Sequence, residues 1–472
     1  MSDWEIILST VLTIVAFFVL AYMFFVISFY VVMLIISAKQ LRKGFGLNQK
    51  ETYEDILQSA DTKPISVIVP AYNEEIGIYN SIRSLLSMNY PEYEVIVVND
   101  GSKDKTLQVM IERFQMKKVE LVVRSRLKTE EIRAIYQSKL HDNLLLIDKK
   151  NGGKADALNA GMNLSHYPYV CSLDGDSVLE RDAFLKVMKP IIDSNQEVIA
   201  TGGSIRIANG CKIERGELMS VGLSKRPLVI MQVIEYLRAF LMGRVGLSRH
   251  NLLLIVSGAF GVFHKESVIK AGGYLTNTVG EDMELVVRLH RLIKEEKSNE
   301  RIVYVPDPVC WTEAPEDLAV LRRQRRRWHQ GLFESLWLHK KMLFRPKYGK
   351  VGFISLPYFL FVELLGPIVE FLGYLIVILG LVFGVLNIEL ALLLFTLAFL
   401  YGSLLSMSAV LLEEWSLRKY PEVMDVVRLF FYALTEAFWY RPITVFWRLE
   451  GFIHILRKKK DWGDMTRKGI SS

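Results

Sequence analysis

The stretch ISVIVPAYNE (residues 65–74) decides the fold class, because a short run of β-branched and apolar residues that ends in a turn is typical of a buried strand. The following residues, IGIYNSIRSLLSM (76–88), have the pattern of an amphipathic helix. YEVIVVNDGS (93–102), LLLID (144–148) and YVCSLDGD (169–176) repeat the apolar strand run. Strands that alternate with helices predict an α/β domain with a mainly parallel sheet.

Acidic residues stand where these predicted strands end, which is the edge of a parallel sheet where ligands bind. Asp100 closes the second strand, and Asp174 and Asp176 follow the strand at 169. Two carboxylates two residues apart point the same way on an extended chain, and their charges repel unless a cation joins them. Mg²⁺ or Mn²⁺ together with substrate phosphates suits such a pair. An Asp-x-Asp pair is also common in ordinary turns, so the motif is weak by itself.

Three further motifs add chemistry. In NGGKADALN (151–159), Lys154 follows two glycines and precedes a predicted helix, where its amine can meet a phosphate oxygen. VGEDMEL (279–285) offers two adjacent acids, and QRRRW (324–328) combines cations with a flat aromatic ring. Each has a plain structural alternative: a surface lysine, acids at a helix N-terminus, and a basic helix that attracts anionic lipid.

Taken in order, these motifs resemble those of the family-2 glycosyltransferases, from about residue 63 to residue 330. More narrowly, they resemble the membrane-integrated synthases of cellulose, hyaluronan, poly-N-acetylglucosamine and mixed-linkage β-glucans. The motifs that carry the resemblance are PAYNEE (70–75), NDGS (99–102), GGKADALN (152–159), DGD (174–176), GED (280–282) and QRRRW (324–328). The resemblance implies a GT-A-type catalytic domain that transfers a sugar from a UDP-sugar to a growing chain.

The resemblance also implies roles for individual residues. Asp282 would be the general base, and a single displacement would invert the anomeric carbon. Asp174 and Asp176 would hold a divalent cation, Mg²⁺ or Mn²⁺, on the diphosphate. The implied donor and nucleotide contacts are Pro70, Ala71, Tyr72, Asn73, Glu74, Asp100, Lys154, Asp174, Arg325 and Arg327. The implied acceptor contacts are Gly258, Phe260, Glu281, Gln324, Arg327 and Trp328.

The C-terminal stretch DWGDMTRKG (461–469) loosely resembles the gating segment of hyaluronan-type synthases. On this interpretation Trp462, Thr466 and Arg467 would close over the donor. A solvated basic tail explains the same residues equally well.

Apolar blocks predict membrane segments on both sides of the α/β domain. Ile6 to Ala38 carries no charge, which favours one long tilted helix over a tight hairpin of two. The blocks 351–386 and 390–412 predict two later crossings, with a break near Pro367, and 424–456 resembles an interfacial or re-entrant stretch. The predicted division is an N-terminal transmembrane helix (1–40), a linker (41–62), the GT-A domain (63–345), transmembrane and interfacial helices (346–456) and a cytosolic tail (457–472).

Charge and cysteine content narrow the class of protein. The formal net charge is +7, but basic residues cluster at predicted membrane edges, as in KQLRK (39–43) and RKKK (457–460), which favours a cytosolic catalytic domain in the plasma membrane over nucleic-acid binding. The three cysteines, Cys171, Cys211 and Cys310, are scattered and indicate neither a disulfide framework nor a zinc site. The charged insert 116–143 is expected to be a surface excursion.

Three functions remain open from sequence. The first is a processive synthase that polymerises a β-linked polysaccharide and translocates it, with UDP-glucose favoured over UDP-N-acetylglucosamine as donor. The second is a membrane transferase that adds one sugar to a lipid. The third is a non-catalytic transporter or anchor, against which the intact set of acids argues. The expected partners of the synthase are the UDP-sugar, the growing polysaccharide and the lipid bilayer, and an accessory subunit stays open.

Overall fold

The computed structural model describes residues 3–48, 57, 62–175, 177–194, 197–214, 216–385 and 387–456. The strands are β1 Ile65–Ala71, β2 Tyr93–Asp100, β3 Met116–Val119, β4 Ile132–Ser138, β5 Leu144–Lys149, β6 Tyr169–Leu173, β7 Val178–Leu179, β8 Val198–Ile207, β9 Lys212–Glu214, β10 Glu217–Ser220, β11 Phe260–His264 and β12 Arg301–Thr312.

The α-helices are α1 Asp3–Asn48, α2 Ile78–Leu86, α3 Thr106–Arg113, α4 Lys154–Leu164, α5 Ala183–Asp193, α6 Pro227–Leu237, α7 Val245–Ser248, α8 Lys265–Lys270, α9 Glu281–Glu295, α10 Leu318–Leu338, α11 Leu356–Tyr358, α12 Gly366–Val382, α13 Ile388–Phe399, α14 Leu405–Ser416, α15 Val423–Thr435 and α16 Tyr440–Leu456. The π-helical turns are Arg238–Arg244, Val351–Ser355, Phe359–Leu364 and Leu400–Leu404, and the 3₁₀ turns are Lys340–Met342 and Pro346–Tyr348.

A ten-stranded sheet forms the centre of the domain, in the order β3-β4-β5-β2-β1-β6-β11-β8-β12-β7. The central strands β5, β2, β1 and β6 are mutually parallel and almost wholly buried, which confirms the α/β prediction. Antiparallel strands extend the sheet on both flanks. The chain leaves β1 towards β2 on one side and returns to β6 on the other. The carboxyl ends of β1 and β6 therefore form the switch point at which α/β sheets bind ligands.

The charged insert 116–143 differs from the prediction of a surface excursion. Its two ends form β3 and β4, which pair with each other and, through β4, with β5. Ile135 and Leu127 are buried there, so the insert contributes to the core. Lys117 and Lys118 are exposed on β3, a placement that hinders pairing with another chain at a sheet edge.

Three helical segments of the described chain are long and apolar enough to cross a bilayer: Asp3–Arg42, Val351–Val382 and Ile388–Ser416. The first lies within the continuous helix α1, which confirms one helix rather than a hairpin. The second bends at Leu365, directly before Gly366 and Pro367, as the sequence predicts.

The predicted membrane segments pack closely on the catalytic domain. The side chain of Arg206 in β8 forms a buried ion pair with Glu413 in α14. Arg238 pairs with Glu436 at 2.9 Å, and the Ser37 hydroxyl of α1 donates a hydrogen bond to the Met242 carbonyl at 2.7 Å. The domain is thus held against both apolar regions by polar contacts as well as apolar packing.

Candidate active site

The turn after β1 carries the Pro70–Glu74 motif and is fastened to the turn after β2. Asn73 adopts a left-handed backbone conformation with a φ of 55°. Its N–H donates to the Ser102 hydroxyl at 3.1 Å, and its side-chain oxygen accepts from the Lys103 N–H at 2.8 Å. Tyr72 is 44% exposed beside this junction. The structure thus brings the two predicted nucleotide-binding turns together.

Asp100 lies beneath this junction, and described groups satisfy both of its carboxylate oxygens. One oxygen accepts from the Lys149 amine at 2.6 Å and the Gly152 N–H at 3.0 Å, and the other accepts from the Gly153 N–H at 2.7 Å. Gly153 has a φ of 87°, a conformation that favours glycine. Asp100 therefore shapes the loop that starts α4, and a direct contact with the nucleotide stays a prediction.

Lys149 was missed by sequence reasoning. It is fully buried and joins two carboxylates, Asp100 at 2.6 Å and Asp156 at 2.5 Å. The available signal was a lysine at the end of a buried apolar strand, because a buried positive charge needs a carboxylate partner.

A cavity of about 640 Å³ opens at the carboxyl ends of the central strands. Of the predicted site residues, those that line it are Lys154, Asp174, Gly258, Glu281, Asp282, Gln324, Arg327 and Trp328. Its volume falls in the ordinary range for ligand sites in proteins.

Lys154 and Asp174 form an ion pair at one end of the cavity. Their side chains approach to 2.5 Å, and the Lys154 amine also donates to the Gly258 carbonyl at 2.8 Å. Burial opposes the charge on this amine, but Asp174 and Glu281 outweigh it and raise the pKa of Lys154. Lys154 is therefore a cation held beside the Asp174 carboxylate.

Of the two predicted metal ligands, the structure describes one. Asp174 presents a carboxylate to the cavity, and Asp176 lies outside the described residues. Within the described ranges, no cluster of three or more His, Cys, Asp or Glu residues could hold a metal ion. One or two carboxylates fit a Mg²⁺ site whose coordination is completed by substrate phosphates and water.

Glu281 and Asp282 open helix α9 and face the cavity. One oxygen of Asp282 accepts the Met283 N–H at 2.8 Å. A β-carbon at Gly258 would lie only 2.9 Å from the other oxygen, so a side chain at Gly258 would crowd this carboxylate. Burial raises the pKa of Glu281; Lys154 opposes this rise and Asp282 adds to it.

Helix α10 presents the QRRRW motif. Trp328 is 47% exposed and lines the cavity with Gln324 and Arg327. Arg325 does not line it: its guanidinium lies 4.3 Å from the centroid of the Trp328 ring and pairs with Glu235 at 2.7 Å. The predicted diphosphate contact of Arg325 has no support in this geometry, which instead makes Arg325 a support for Trp328.

The structure does not support the predicted acceptor contact of Phe260, and it does not describe the residues of the predicted gating segment. Phe260 is fully buried in β11, its ring stacks on Phe184, and it does not line the cavity. Trp462, Thr466 and Arg467 lie outside the described residues.

Helices α9 and α10, which carry Asp282 and Trp328, form one packed unit. Gly280 and Gly331 approach so closely that a β-carbon on either would lie 2.8 Å from the backbone of the other. Glu334 of α10 accepts from the Thr278 hydroxyl at 2.8 Å and the Val279 N–H at 3.0 Å. These contacts fix Asp282 relative to Trp328.

The cavity also has walls that no motif predicted. They include Arg226, Glu235, Tyr236, Phe240, Arg244, Ser257, Glu313, Glu316, Phe359 and Glu363. For Glu235, Arg244 and Glu363 the available signal was a charge within a mainly apolar stretch, since such charges are seldom buried without a role.

The class of protein follows from a GT-A-type sheet whose switch point carries acids, a buried lysine and an exposed tryptophan. The glycosyl transferase family 2 model matches residues 66–268, and the glycosyl transferase family group 2 model matches residues 169–405, half of the chain. The chain belongs to the family-2 glycosyltransferases.

Particular relatives narrow this class. A poly-β-1,6-N-acetyl-D-glucosamine synthase of Staphylococcus epidermidis is 30% identical over 58% of this chain and 55% of its own. The synthase of the same name from Staphylococcus aureus strain COL is 28% identical over 62% of this chain and 59% of its own. The chain thus matches somewhat more than half the length of these curated relatives.

A solved mannosyltransferase from Pyrobaculum calidifontis, in complex with GDP-mannose and Mn²⁺, has the same fold. Its TM-score is 0.50 and its identity 17%, over 94% of this chain and 100% of that one.

Proposed function

We propose that this protein is an inverting, processive glycosyltransferase that polymerises β-linked N-acetylglucosamine from UDP-N-acetylglucosamine and passes the chain into its membrane segments. One observation carries the proposal. The cavity lined by Lys154, Asp174, Asp282 and Trp328 is also lined by Phe359 and Glu363, which lie within the apolar segment Val351–Val382. Such a site gives a growing chain a path towards the membrane; it would also admit a lipid acceptor, and the relatives named as polysaccharide synthases favour the polymer.

The residues of the cavity divide the chemistry between them. Asp282 removes the proton of the acceptor hydroxyl, whose oxygen attacks the anomeric carbon as the bond to the diphosphate breaks. Lys154 and Arg327 counter the negative charge that develops on the leaving UDP. Trp328 offers its exposed face to the terminal sugar. Asp174, with Asp176, would hold Mg²⁺ or Mn²⁺, which supplies further positive charge at the diphosphate.

The donor proposed here replaces the UDP-glucose favoured from sequence. Both curated relatives are named as synthases of poly-N-acetylglucosamine, whereas the cavity walls alone do not discriminate the two sugars. The relatives therefore favour UDP-N-acetylglucosamine.

The membrane arrangement is proposed on the same basis. The apolar helices would lie in the plasma membrane with the catalytic domain on the cytosolic side, where UDP-sugars are made and where basic residues such as Lys39 and Arg42 favour the inner face. The synthase relatives favour a polysaccharide acceptor.

The test is sugar transfer by purified full-length protein in detergent with Mg²⁺ or Mn²⁺, from radiolabelled UDP-N-acetylglucosamine and UDP-glucose in parallel. The Asp282→Asn variant removes the base. Glu296→Gln, in which an acid at the far end of α9 paired with Lys270 loses its charge, is the matched control.

A labelled polymer formed from UDP-N-acetylglucosamine by the wild type and the control, but not by Asp282→Asn, is the expected result. Label only in a small organic-extractable product would replace the proposal with a lipid-linked transferase. Polymer formed from UDP-glucose alone would reverse the choice of donor. Equal activity in Asp282→Asn would remove the proposed base.

A further inference from the structure

Arg244 is a cationic wall of the cavity that belongs to none of the motifs. It ends the π-helical turn Arg238–Arg244, which follows α6. Its guanidinium lies 3.8 Å from the centroid of the Phe240 ring, and one of its nitrogens donates to the Val256 carbonyl at 2.7 Å. These two contacts fix the side chain while leaving most of its five N–H donors unused.

Within the described part of the chain, no ion pair balances the charge of Arg244. Other arginines near the cavity have carboxylate partners: Arg325 pairs with Glu235 at 2.7 Å, and Arg226 pairs with Glu316 at 3.2 Å. Arg244 has no such partner, and no second hydrogen bond, among the residues that the structure describes. Burial lowers the pKa of Arg244, and Tyr304 and Asp282 only partly oppose this effect. Arginine nevertheless stays protonated in proteins.

A partly buried cation with open donors is unfavourable unless a ligand supplies acceptors. These donors belong to a residue that lines the same cavity as Asp282 and Trp328. They are therefore placed to meet oxygen atoms of a ligand in that cavity.

The position of Arg244 favours the acceptor over the diphosphate. The diphosphate end is marked by the pair of Lys154 and Asp174. Arg244 is carried instead by a turn that packs on α1, where the Ser37 hydroxyl binds the Met242 carbonyl. That is the side of the domain nearest the membrane helices, towards which a growing chain has to leave.

We propose that Arg244 binds the acceptor saccharide by donating hydrogen bonds to its hydroxyl or acetamido oxygens. This inference rests on the proposed function for the identity of the ligand, but not on turnover. A guanidinium fork suits paired oxygen acceptors better than an ammonium does.

The test measures binding, so that it does not require catalysis. Full-length Asp282→Asn protein in detergent is titrated calorimetrically with a β-linked N-acetylglucosamine oligosaccharide, with its de-N-acetylated counterpart and, separately, with UDP. The same titrations are made after adding Arg244→Gln, Arg244→Lys or Arg249→Gln. Arg249 is exposed five residues along and lies outside the cavity, so it controls for loss of one positive charge.

The expected result is an oligosaccharide Kd raised about tenfold by Arg244→Gln, the size of one hydrogen bond to a charged group. Arg244→Lys should fall in between, and Arg249→Gln and all UDP affinities should be unchanged. A loss confined to the acetylated oligosaccharide assigns the contact to the acetamide, and a loss with both assigns it to a hydroxyl.

An unchanged oligosaccharide Kd in a variant that unfolds at the wild-type temperature would overturn the inference. So would a weaker affinity for UDP, which would place Arg244 at the donor. If the variant loses oligosaccharide binding while wild-type protein with its Asp282 base makes no polymer, the proposed function fails and the acceptor contact stands.

Discussion

At the scale of single residues, Glu281 links the site to the pH dependence of the protein's stability. It is buried beside Asp282, and burial is the largest influence that raises its pKa. The folded state therefore holds the Glu281 proton more tightly than the unfolded state. The resulting stabilisation is present below the unfolded pKa and is lost as the pH rises through the folded pKa.

We therefore expect Glu281→Gln to raise the midpoint of thermal unfolding at pH 7.5, because it removes a buried charge. The difference from wild type should narrow as the pH falls towards 4.5, the ordinary pKa of a glutamate side chain. Unfolding of detergent-solubilised protein, followed across this range, measures both. A difference that does not depend on pH, or a less stable variant at pH 7.5, would contradict the assignment.

Lys154 supports a second prediction. Lys154→Met removes the partner of Asp174 and a positive charge from the proposed leaving-group site. We expect kcat/KM for the UDP-sugar to fall by about 100-fold or more, as when a donor to developing negative charge is deleted. Lys150→Met is the matched control, since Lys150 is exposed and reaches Glu130 only at 3.5 Å. Equal losses in the two variants would remove the special role of Lys154.

At this scale the motifs identified residues of the cavity better than they identified the contacts among them. Lys154, Asp174 and Asp282 were recognised because motifs mark them, and the structure brings all three to one cavity. Arg325 and Phe260 were predicted to contact substrate from the same kind of motif. Which face of a helix or strand points to a cavity depends on tertiary packing, which the motif does not encode.

At the scale of elements, the contact between α9 and α10 depends on two positions that have no side chain. Gly280, directly before α9, and Gly331, within α10, leave no space for a side chain at either position. We expect Gly331→Ala to separate the helices, to destabilise the protein by about 1–3 kcal/mol as overpacking does, and to lower the rate of transfer. Gly373→Ala is the control, because a β-carbon there would lie at an ordinary 3.5 Å from Val19.

The thermal midpoint and the transfer rate are measured for both glycine variants. A Gly331→Ala protein with wild-type stability and rate would show that the close contact is not needed. The glycine in the GED motif could be seen in the sequence, but its partner 51 positions later could not, since two glycines in contact leave no pattern.

The predicted elements were most accurate where the sequence contains a continuous apolar run. The four apolar runs at 65, 93, 144 and 169 became the parallel centre of the sheet. The insert 116–143 was misjudged because charged residues such as Lys117 and Lys118 lie on exposed positions of the edge strand β3, whereas Leu127 and Ile135 are buried. Charge composition alone does not separate an edge strand from a loop.

For the whole molecule, the central feature is the attachment of the catalytic domain to the membrane helices. The ion pair of Arg206 and Glu413 is buried and joins β8 to α14. Removing one partner leaves an uncompensated buried charge, so we expect Glu413→Leu alone to destabilise the protein by about 3–5 kcal/mol. Arg206→Met with Glu413→Leu should recover most of this loss.

Thermal unfolding of the two single variants and the double variant in detergent gives the comparison. A double variant no more stable than Glu413→Leu would show that the pair is not the relevant contact. Neither residue could be paired from sequence, because they are 207 positions apart and lie in separate predicted regions.

Sequence length and hydropathy predicted the helices that can span a bilayer, but not how they meet the domain. That arrangement produces the continuation of the cavity from Asp282 to Glu363, on which the proposed function depends.

The most direct test of synthesis coupled to membrane passage uses sealed inverted vesicles that contain the protein. The vesicles receive radiolabelled UDP-N-acetylglucosamine outside, and a glycosidase that digests the polymer is then added outside. The expected result is labelled polymer that resists digestion until detergent opens the vesicles. Polymer that is fully digested without detergent would contradict passage through the membrane segments.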